Sequence, residues 1–371
     1  MSRPTYAEVN LGAIRNNFLA LRGLVAPGGR VLALVKGDAY GHGAVPVARV
    51  LQSAGVDMLG VALAEEGMEL RAGGLRTPIL IMGLLPADDI RAAIEYHLAA
   101  TVDTVETAAQ IDAVAAAERR RVHVHLKIDT GMNRLGIRAE EAAALALAVS
   151  RMEHLDLAGV YTHLACADCE DGGEPSARQL ARFKTALEAI RAAGVLPPLV
   201  HAANSAALMT MPEAHFDMVR PGLALYGISP CAAAASAPLA PALELKTAVA
   251  HLKRVLAGEG ASYGHRWRAR RDSLLGLLPI GYADGYPRAL WQGGQARVAG
   301  RLAPVVGTVC MDTTLIDLTD VPEARIGLPV TLLEADPASP LSAAALAALC
   351  HTIPHEILTG LGKRVPRVYV E

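Results

Sequence analysis

Between Val31 and Arg220, eight short apolar runs alternate with helical patterns, and this alternation constrains the fold more than any other feature of the 371-residue chain. The runs lie near residues 31–36, 58–63, 78–82, 98–102, 122–129, 157–163, 199–204 and 216–220. Unbroken apolar runs suit parallel strands covered on both faces, where no solvent side demands alternation. Apolar residues at helical spacing fill most of the gaps, for example at Ala64–Ala72, Asp88–His97, Thr104–Arg119 and Ser176–Ala193. A further helix, Asn10–Val25, precedes the first run, after a short extended start. Strands and helices in strict turn predict the α/β class and a (β/α)8 barrel of the TIM type, with a doubly wound open sheet as the rival.

Beyond Arg220 the pattern changes. The small-residue and proline-rich stretch Ser229–Pro241 reads as a linker, dividing the chain into a barrel domain over residues 1–235 and a second domain over 236–371. Short β-type runs follow at Leu245–Leu252, Leu274–Ile280, Ala296–Ala299, Pro304–Val309 and Thr313–Leu318. With one helical segment near Ser342–Leu349 and a strand-like end at Arg367–Val370, they predict a mostly antiparallel β domain.

Charge is balanced, 35 basic against 37 acidic residues without a long block of one sign, which argues against a nucleic-acid or acidic-lipid partner. The uncharged window Pro221–Leu243 is long enough to span a membrane, but prolines, glycines and serine interrupt it. The start MSRPTYAEVN has no signal-peptide core, and five cysteines, an odd number, suit a reducing compartment. A soluble, cytoplasmic protein is expected.

Barrels place their chemistry at the carboxyl ends of the strands. Lys36 follows the first run and opens the octad KGDAYGHG. A lysine at a buried strand end loses hydration, which lowers its pKa and makes it an imine former; the plain alternative is a snorkelling side chain. In VHVHLKID, a period of two puts His123, His125, Lys127 and Asp129 on one face, pointing into the barrel. The glycine-bounded loop TGMNRLG then presents Arg134, able to clamp a carboxylate or to serve in a rim salt bridge. His163 ends the sixth run, Asn204 and Ser205 the seventh, Arg220 the eighth. Phosphate in barrels often sits on the loops after strands seven and eight, where Ser205 and the N–H groups of Gly222 and Leu223 stand, with the Tyr40 phenol as a further donor.

His163, Cys166 and Cys169 have a spacing zinc could use, but no second ligand pair follows, so no metal is expected. In the second domain Tyr263 (SYG) and Tyr282 (GYADG) occupy glycine-flanked turns, Met311 and Asp312 end a β-type run, and His355 lies one residue past a Thr-Ile-Pro turn. Lys127 beside Arg134 is an unfavourable pair of cations, and lysine is the one able to lose its charge. As a neutral amine it could take up carbon dioxide as a carbamate that holds Arg134; the alternative is an ammonium paired with Asp129.

Taken together and in order, VKGDAYGHG, KIDTGMNRLG, YTHLACAD, NSAA, VRPGLALYG, SYG, GYADGYPR, VCMD and EILTGLGKRVPRVYV resemble the motifs of alanine racemases over essentially the whole chain. These are pyridoxal 5′-phosphate enzymes with an amino-terminal barrel and a carboxyl-terminal β domain. The resemblance implies that Lys36 carries the cofactor imine and that Tyr263 is the opposing base. Arg220 would meet the pyridine nitrogen, His163 would pair with Arg220, and Arg134 with the backbone at Met311 would hold the substrate carboxylate. It also implies a homodimer with shared active sites, in which Tyr263, Tyr282, Met311 and Asp312 serve the partner subunit's site. Some members carry a carbamate at the lysine matching Lys127.

Two positions depart from the commonest pattern. His355 stands where a tyrosine usually touches the phosphate and walls the substrate pocket, and Thr308 stands where an arginine is frequent near the mouth. Interconversion of L- and D-alanine is therefore expected, with a broader racemase accepting serine as the alternative. A barrel-type decarboxylase would want an acid at the ring nitrogen, which Arg220 is not, and a non-catalytic cofactor carrier would need neither Tyr263 nor a second domain.

Overall fold

The structure, a computed structural model, describes residues 3–169, 173–231, 234 and 237–371. It divides into two compact units: one holds Ile14–Ala39 and Ala44–Leu239, the other the N-terminal residues through Ala13, Tyr40–Gly43 and Ala240–Glu371.

In the first unit, eight parallel strands stand side by side in chain order: Arg30–Leu34, Met58–Val61, Ile79–Ile81, Ala99–Val102, Val122–Asp129, Leu155–Tyr161, Val200–His201 and Met218–Val219. The eighth pairs back onto the first, Met218 opposite Arg30 and Val219 opposite Val31. Between the seventh and eighth, Asp217 N–H donates to the Val200 carbonyl at 3.0 Å and Arg220 N–H to that of Ala203 at 2.9 Å. The sheet thus closes as a TIM-like barrel, and the open-sheet rival falls away. Val31–Val35 are all buried, as strands covered on both faces must be. The helix Ala64–Ala72 has the expected bounds. The helix Ala44–Ser53 buries Ala44, Val47, Ala48 and Leu51 at i, i+3, i+4 and i+7, the stripe of a core-facing helix.

After Leu34 the chain makes one turn of left-handed helix. Gly37, Asp38, Ala39 and Tyr40 have φ of 61°, 53°, 52° and 54°. Three of these four are not glycine, and each such residue costs roughly 1–2 kcal/mol in that conformation. Local bonds hold the turn: Gly37 N–H donates to Glu66 Oε1 at 2.6 Å, Ala39 N–H to the Val35 carbonyl at 2.9 Å, and Ala44 N–H to Asp38 Oδ1 at 2.7 Å.

The second unit is mostly antiparallel. Its six-stranded sheet runs in the order Arg301–Pro304, Gln295–Val298, Pro329–Leu333, Leu243–Ala248, Tyr6–Asn10, Arg367–Val370, with only the last pair parallel. A three-stranded sheet joins His251–Val255, Ser273–Leu278 and Thr314–Asp317. The single run expected over Leu245–Leu252 is two strands, because Val249 N–H bonds to Leu328, just before the strand Pro329–Leu333 of one sheet, and Ala250 N–H to Leu277 of the other. The opening strand Tyr6–Asn10, grouped by the sequence with the barrel, pairs with Leu243–Ala248 and Arg367–Val370. A Cβ on Gly41 would lie 2.2 Å from the Leu358 carbonyl oxygen, and one on Gly43 would lie 2.0 Å from the Tyr369 hydroxyl, so both positions require glycine. The boundary read at 235–236 and linker residues 232–233 lie outside the described residues. No helix among the described residues is long and apolar enough to cross a membrane.

Candidate active site

In the barrel unit, the residues expected to react lie where strands end. Burial lowers the Lys36 pKa, and the Arg134 charge lowers it further against a smaller opposing pull from Glu66. The Glu66 carboxylate is itself taken up by three backbone N–H groups, those of Gly37, Ala62 and Leu63. It therefore fixes the turn that carries Lys36.

On the fifth strand His125 is fully buried and Lys127 only 5 % exposed, whereas His123 at the strand's start is exposed. Burial, then Arg134 and Arg220, bring the Lys127 pKa down to about 8, with Asp103 opposing. Asp129 does not pair with Lys127: its Oδ1 accepts the N–H groups of Gly131, Met132 and Asn133 at 2.8, 2.9 and 3.1 Å. That carboxylate shapes the loop presenting Arg134, an exposed side chain.

Arg220, 1 % exposed, keeps a pKa of about 10 despite burial and so stays charged at neutral pH. It donates from Nη2 to the carbonyls of Thr162 and Ala202 at 2.7 and 2.9 Å, and from Nη1 to His201 Nδ1 at 3.1 Å. His163 Nδ1 stands farther off, at 3.5 Å. The sequence reading missed His201 as the nearer ring. An accepting Nδ1 makes His201 a neutral Nε2–H tautomer, whose Nε2 then donates to His125 Nδ1 at 3.0 Å. Burial pushes His125 down to about 3 and His201 and His163 well below the usual imidazole range, so all three are neutral. Tyr161 stacks on His201 at 4.8 Å and also faces the Lys127 ammonium and the Arg220 guanidinium, each 5.4 Å from its ring centre.

Ser205 opens the helix Ser205–Thr210, and its Oγ accepts the N–H of Gly222 at 2.8 Å and of Ala224 at 3.4 Å. Asn204 caps that helix, its side chain accepting Ala207 N–H at 3.0 Å. The loops after strands seven and eight thus meet at the Ser205 hydroxyl. Among the described residues no group of three His, Cys, Asp or Glu side chains could hold a metal.

The second unit gathers the remaining predicted residues. Tyr263 is 73 % exposed, Met311 53 % and Tyr282 42 %. Tyr282 and Ala283 donate their N–H groups to the carbonyls of Cys310 and Met311, both at 3.0 Å, which ties the GYADG turn to the Met311 turn. Asp312 pairs with Arg364 at 2.7 Å. Arg364 and Arg3 both pair with the buried Asp284, at 3.1 and 2.6 Å, a network not read from the sequence. His355 and Tyr40 face each other in this unit, ring centres 5.7 Å apart. Burial raises the Tyr40 phenol above its usual range and keeps it neutral.

This arrangement can be set beside known proteins. The family model described as "Alanine racemase, N-terminal domain" matches residues 9–230, and "Alanine racemase, C-terminal domain" matches 242–369. The chain belongs to the alanine racemase family. Among its relatives, the alanine racemase of Desulfovibrio desulfuricans is 41% identical over 370 residues, covering 100% of this chain and 99% of that protein. That of Symbiobacterium thermophilum is 42% identical over 368 residues, covering 99% and 97%. Two solved alanine racemases superpose over 100% of the chain. The Clostridium difficile enzyme does so with a TM-score of 0.96 at 35% identity and 97% coverage of its own length. The Bacillus anthracis enzyme with bound L-Ala-P gives 0.93 at 37% and 95%.

Proposed function

We propose that the chain interconverts L- and D-alanine with pyridoxal 5′-phosphate as its cofactor. The observation that carries this reading is Arg220, a buried guanidinium at the end of the eighth strand, bonded to carbonyls and a neutral imidazole and to no carboxylate among the described residues. The donor set fits the cofactor: the Lys36 amine for the aldehyde, the Ser205 hydroxyl with the Gly222–Leu223 loop for the phosphate, and Arg220 for the ring nitrogen. When bound, pyridoxal phosphate supplies an electron sink conjugated to the amino acid's α-carbon.

The chain's own groups then divide the work. Arg220 keeps its proton and can only donate, so it would hold the cofactor's ring nitrogen as a hydrogen-bond donor and would not protonate it, which would keep the sink weak. A weak sink limits side reactions and favours racemisation over decarboxylation. Arg134, with the backbone at Met311, orients the substrate carboxylate. Lys36 and Tyr263 act from opposite faces, Tyr263 removing the α-proton of L-alanine and Lys36 that of D-alanine while the other returns a proton, so neither needs to swing around the substrate. Lys36 is suited to this because burial and Arg134 favour its neutral form.

Tyr263, Met311 and Tyr282 are open to solvent in a single chain. A second copy of the chain would cover them, which supports a homodimer with shared sites. The cytoplasmic reading rests on five free thiols. The test is optical rotation. L-alanine incubated with the holoenzyme should fall to zero rotation without gas release. Constant rotation, or carbon dioxide evolved, would reject the proposal.

A further inference from the structure

Tyr263 sits in a turn that its own sequence does not favour. Ser262 has φ 61° and ψ −175°, Gly264 φ 71° and His265 φ 44°, so three residues of a four-residue turn have positive φ. A serine or histidine held there needs support from outside the turn. One residue supplies it from both sides. The Thr308 carbonyl accepts from Ser262 Oγ at 2.6 Å, and the Thr308 hydroxyl donates to the Tyr263 carbonyl at 3.0 Å. Cys310 Sγ adds a weaker contact to Ser262 Oγ at 3.4 Å. The two segments come this close because residue 307 is glycine. At φ 68° a Cβ there would lie 2.6 Å from Ser262 Cβ and 2.8 Å from the Ala261 carbonyl oxygen. Thr308 is 2 % exposed, so it does not line a solvent channel; its hydroxyl is spent on the turn.

We propose that Thr308 is a positioning residue for Tyr263: its hydroxyl fixes the carbonyl of the residue whose phenol is aimed out of the turn. Buried side of the turn and exposed phenol are thereby coupled through one backbone group. The inference rests on the proposed role of Tyr263 in proton transfer on the L face. A direct arginine replacement would say little, since it adds bulk and charge. Thr308→Val is nearly isosteric and removes only the hydroxyl.

In the protein without cofactor, Thr308→Val should speed amide exchange across residues 262–265 several-fold and leave the barrel strands unchanged. In the holoenzyme it should lower kcat about five- to tenfold, the worth of one neutral hydrogen bond, with KM changed less than twofold. The isotope effects carry the signature. With α-deuterated L-alanine the effect should rise, because transfer to Tyr263 becomes more rate-limiting. With α-deuterated D-alanine, whose proton goes to Lys36, it should fall. Thr308→Ser keeps the hydroxyl and should restore both exchange and the isotope pattern. Should Thr308→Val fail to fold, Thr308→Ala is read by the same criteria. Parental kcat and exchange in the valine or alanine variant, equal changes in the two isotope effects, or no rescue by serine would each overturn the inference. Tyr263→Phe serves as the separate control: full activity there would remove the role of Tyr263 itself, a failure distinct from that of the tether.

Discussion

Replacing Lys127 by alanine, and supplying the parent enzyme with labelled bicarbonate, test one idea: that this lysine works as a carbamate. The structure gives the magnitude. An ordinary lysine of pKa about 10.4 is neutral in about 0.04 % of molecules at pH 7, whereas one at about 8 is neutral in about a tenth, a gain of more than a hundredfold in reactive amine. The neutral fraction of any amine rises with pH, and a pKa of about 8 brings that rise into the range from pH 7, where about a tenth is neutral, to pH 9, where about nine tenths is. Carbamate formation should follow that rise when bicarbonate is supplied. The structure also weakens the plainer alternative, since the Asp129 carboxylate is engaged by three loop amides and no ion pair joins Lys127 to an acid among the described residues. Once formed, the carbamate places an anion where Arg134 and Arg220 both act on Lys127. Enzyme loaded with carbon-13 bicarbonate at mildly alkaline pH should show a carbamate carbon resonance that is absent from Lys127→Ala. The variant should lose up to about a hundredfold in kcat through misplacement of Arg134, with partial recovery on adding a small carboxylate. No Lys127-dependent resonance, or crystals grown with bicarbonate showing a bare ammonium, would refute the reasoning.

Lys36→Ala should lose the cofactor's bound absorbance and nearly all turnover, and Tyr263→Phe should lose turnover while keeping the cofactor. Mixing the two variants should restore some activity through one intact shared site per heterodimer, and a mixture as inert as its parts would remove the shared-site reading. His355→Tyr should raise the ratio of alanine to serine racemisation, because the smaller imidazole beside Tyr40 leaves room near the substrate β-carbon; an unchanged ratio rejects this. Gly41→Ala, at φ 82° and with its new Cβ 2.2 Å from the Leu358 carbonyl oxygen, should destabilise by at least about 2 kcal/mol, read as a lower thermal midpoint; an unchanged midpoint would contradict the close packing.

Much of this protein is legible in its sequence because local patterns encode local exposure. The eight buried runs and their helices give the barrel, and the period-two pattern of VHVHLKID turns His125 and Lys127 inward. A lysine after the first run and an arginine after the eighth end up on neighbouring strands because a closed barrel must pair its last strand with its first. The chain's own alternation therefore determined the architecture and the ring of strand ends on which the candidate site is built.

Only the tertiary structure decided what depends on distant partners. Tyr6–Asn10 could have joined either unit by its alternation, and pairing with Leu243–Ala248 and Arg367–Val370 settles it. The composition of KGDAYGHG does not reveal its left-handed turn, which is held in part by Glu66, 29 residues on, taking the Gly37 N–H. His163 was the obvious neighbour for Arg220 by motif, but the guanidinium's direction is set by backbone carbonyls just past the ends of two strands, which leaves His201 closer. Thr308 looked like a mouth residue and is buried against the Tyr263 turn. In each case the periodicity of a segment states which face is covered, while the identity of the atom that covers it is fixed by register between strands far apart in the chain.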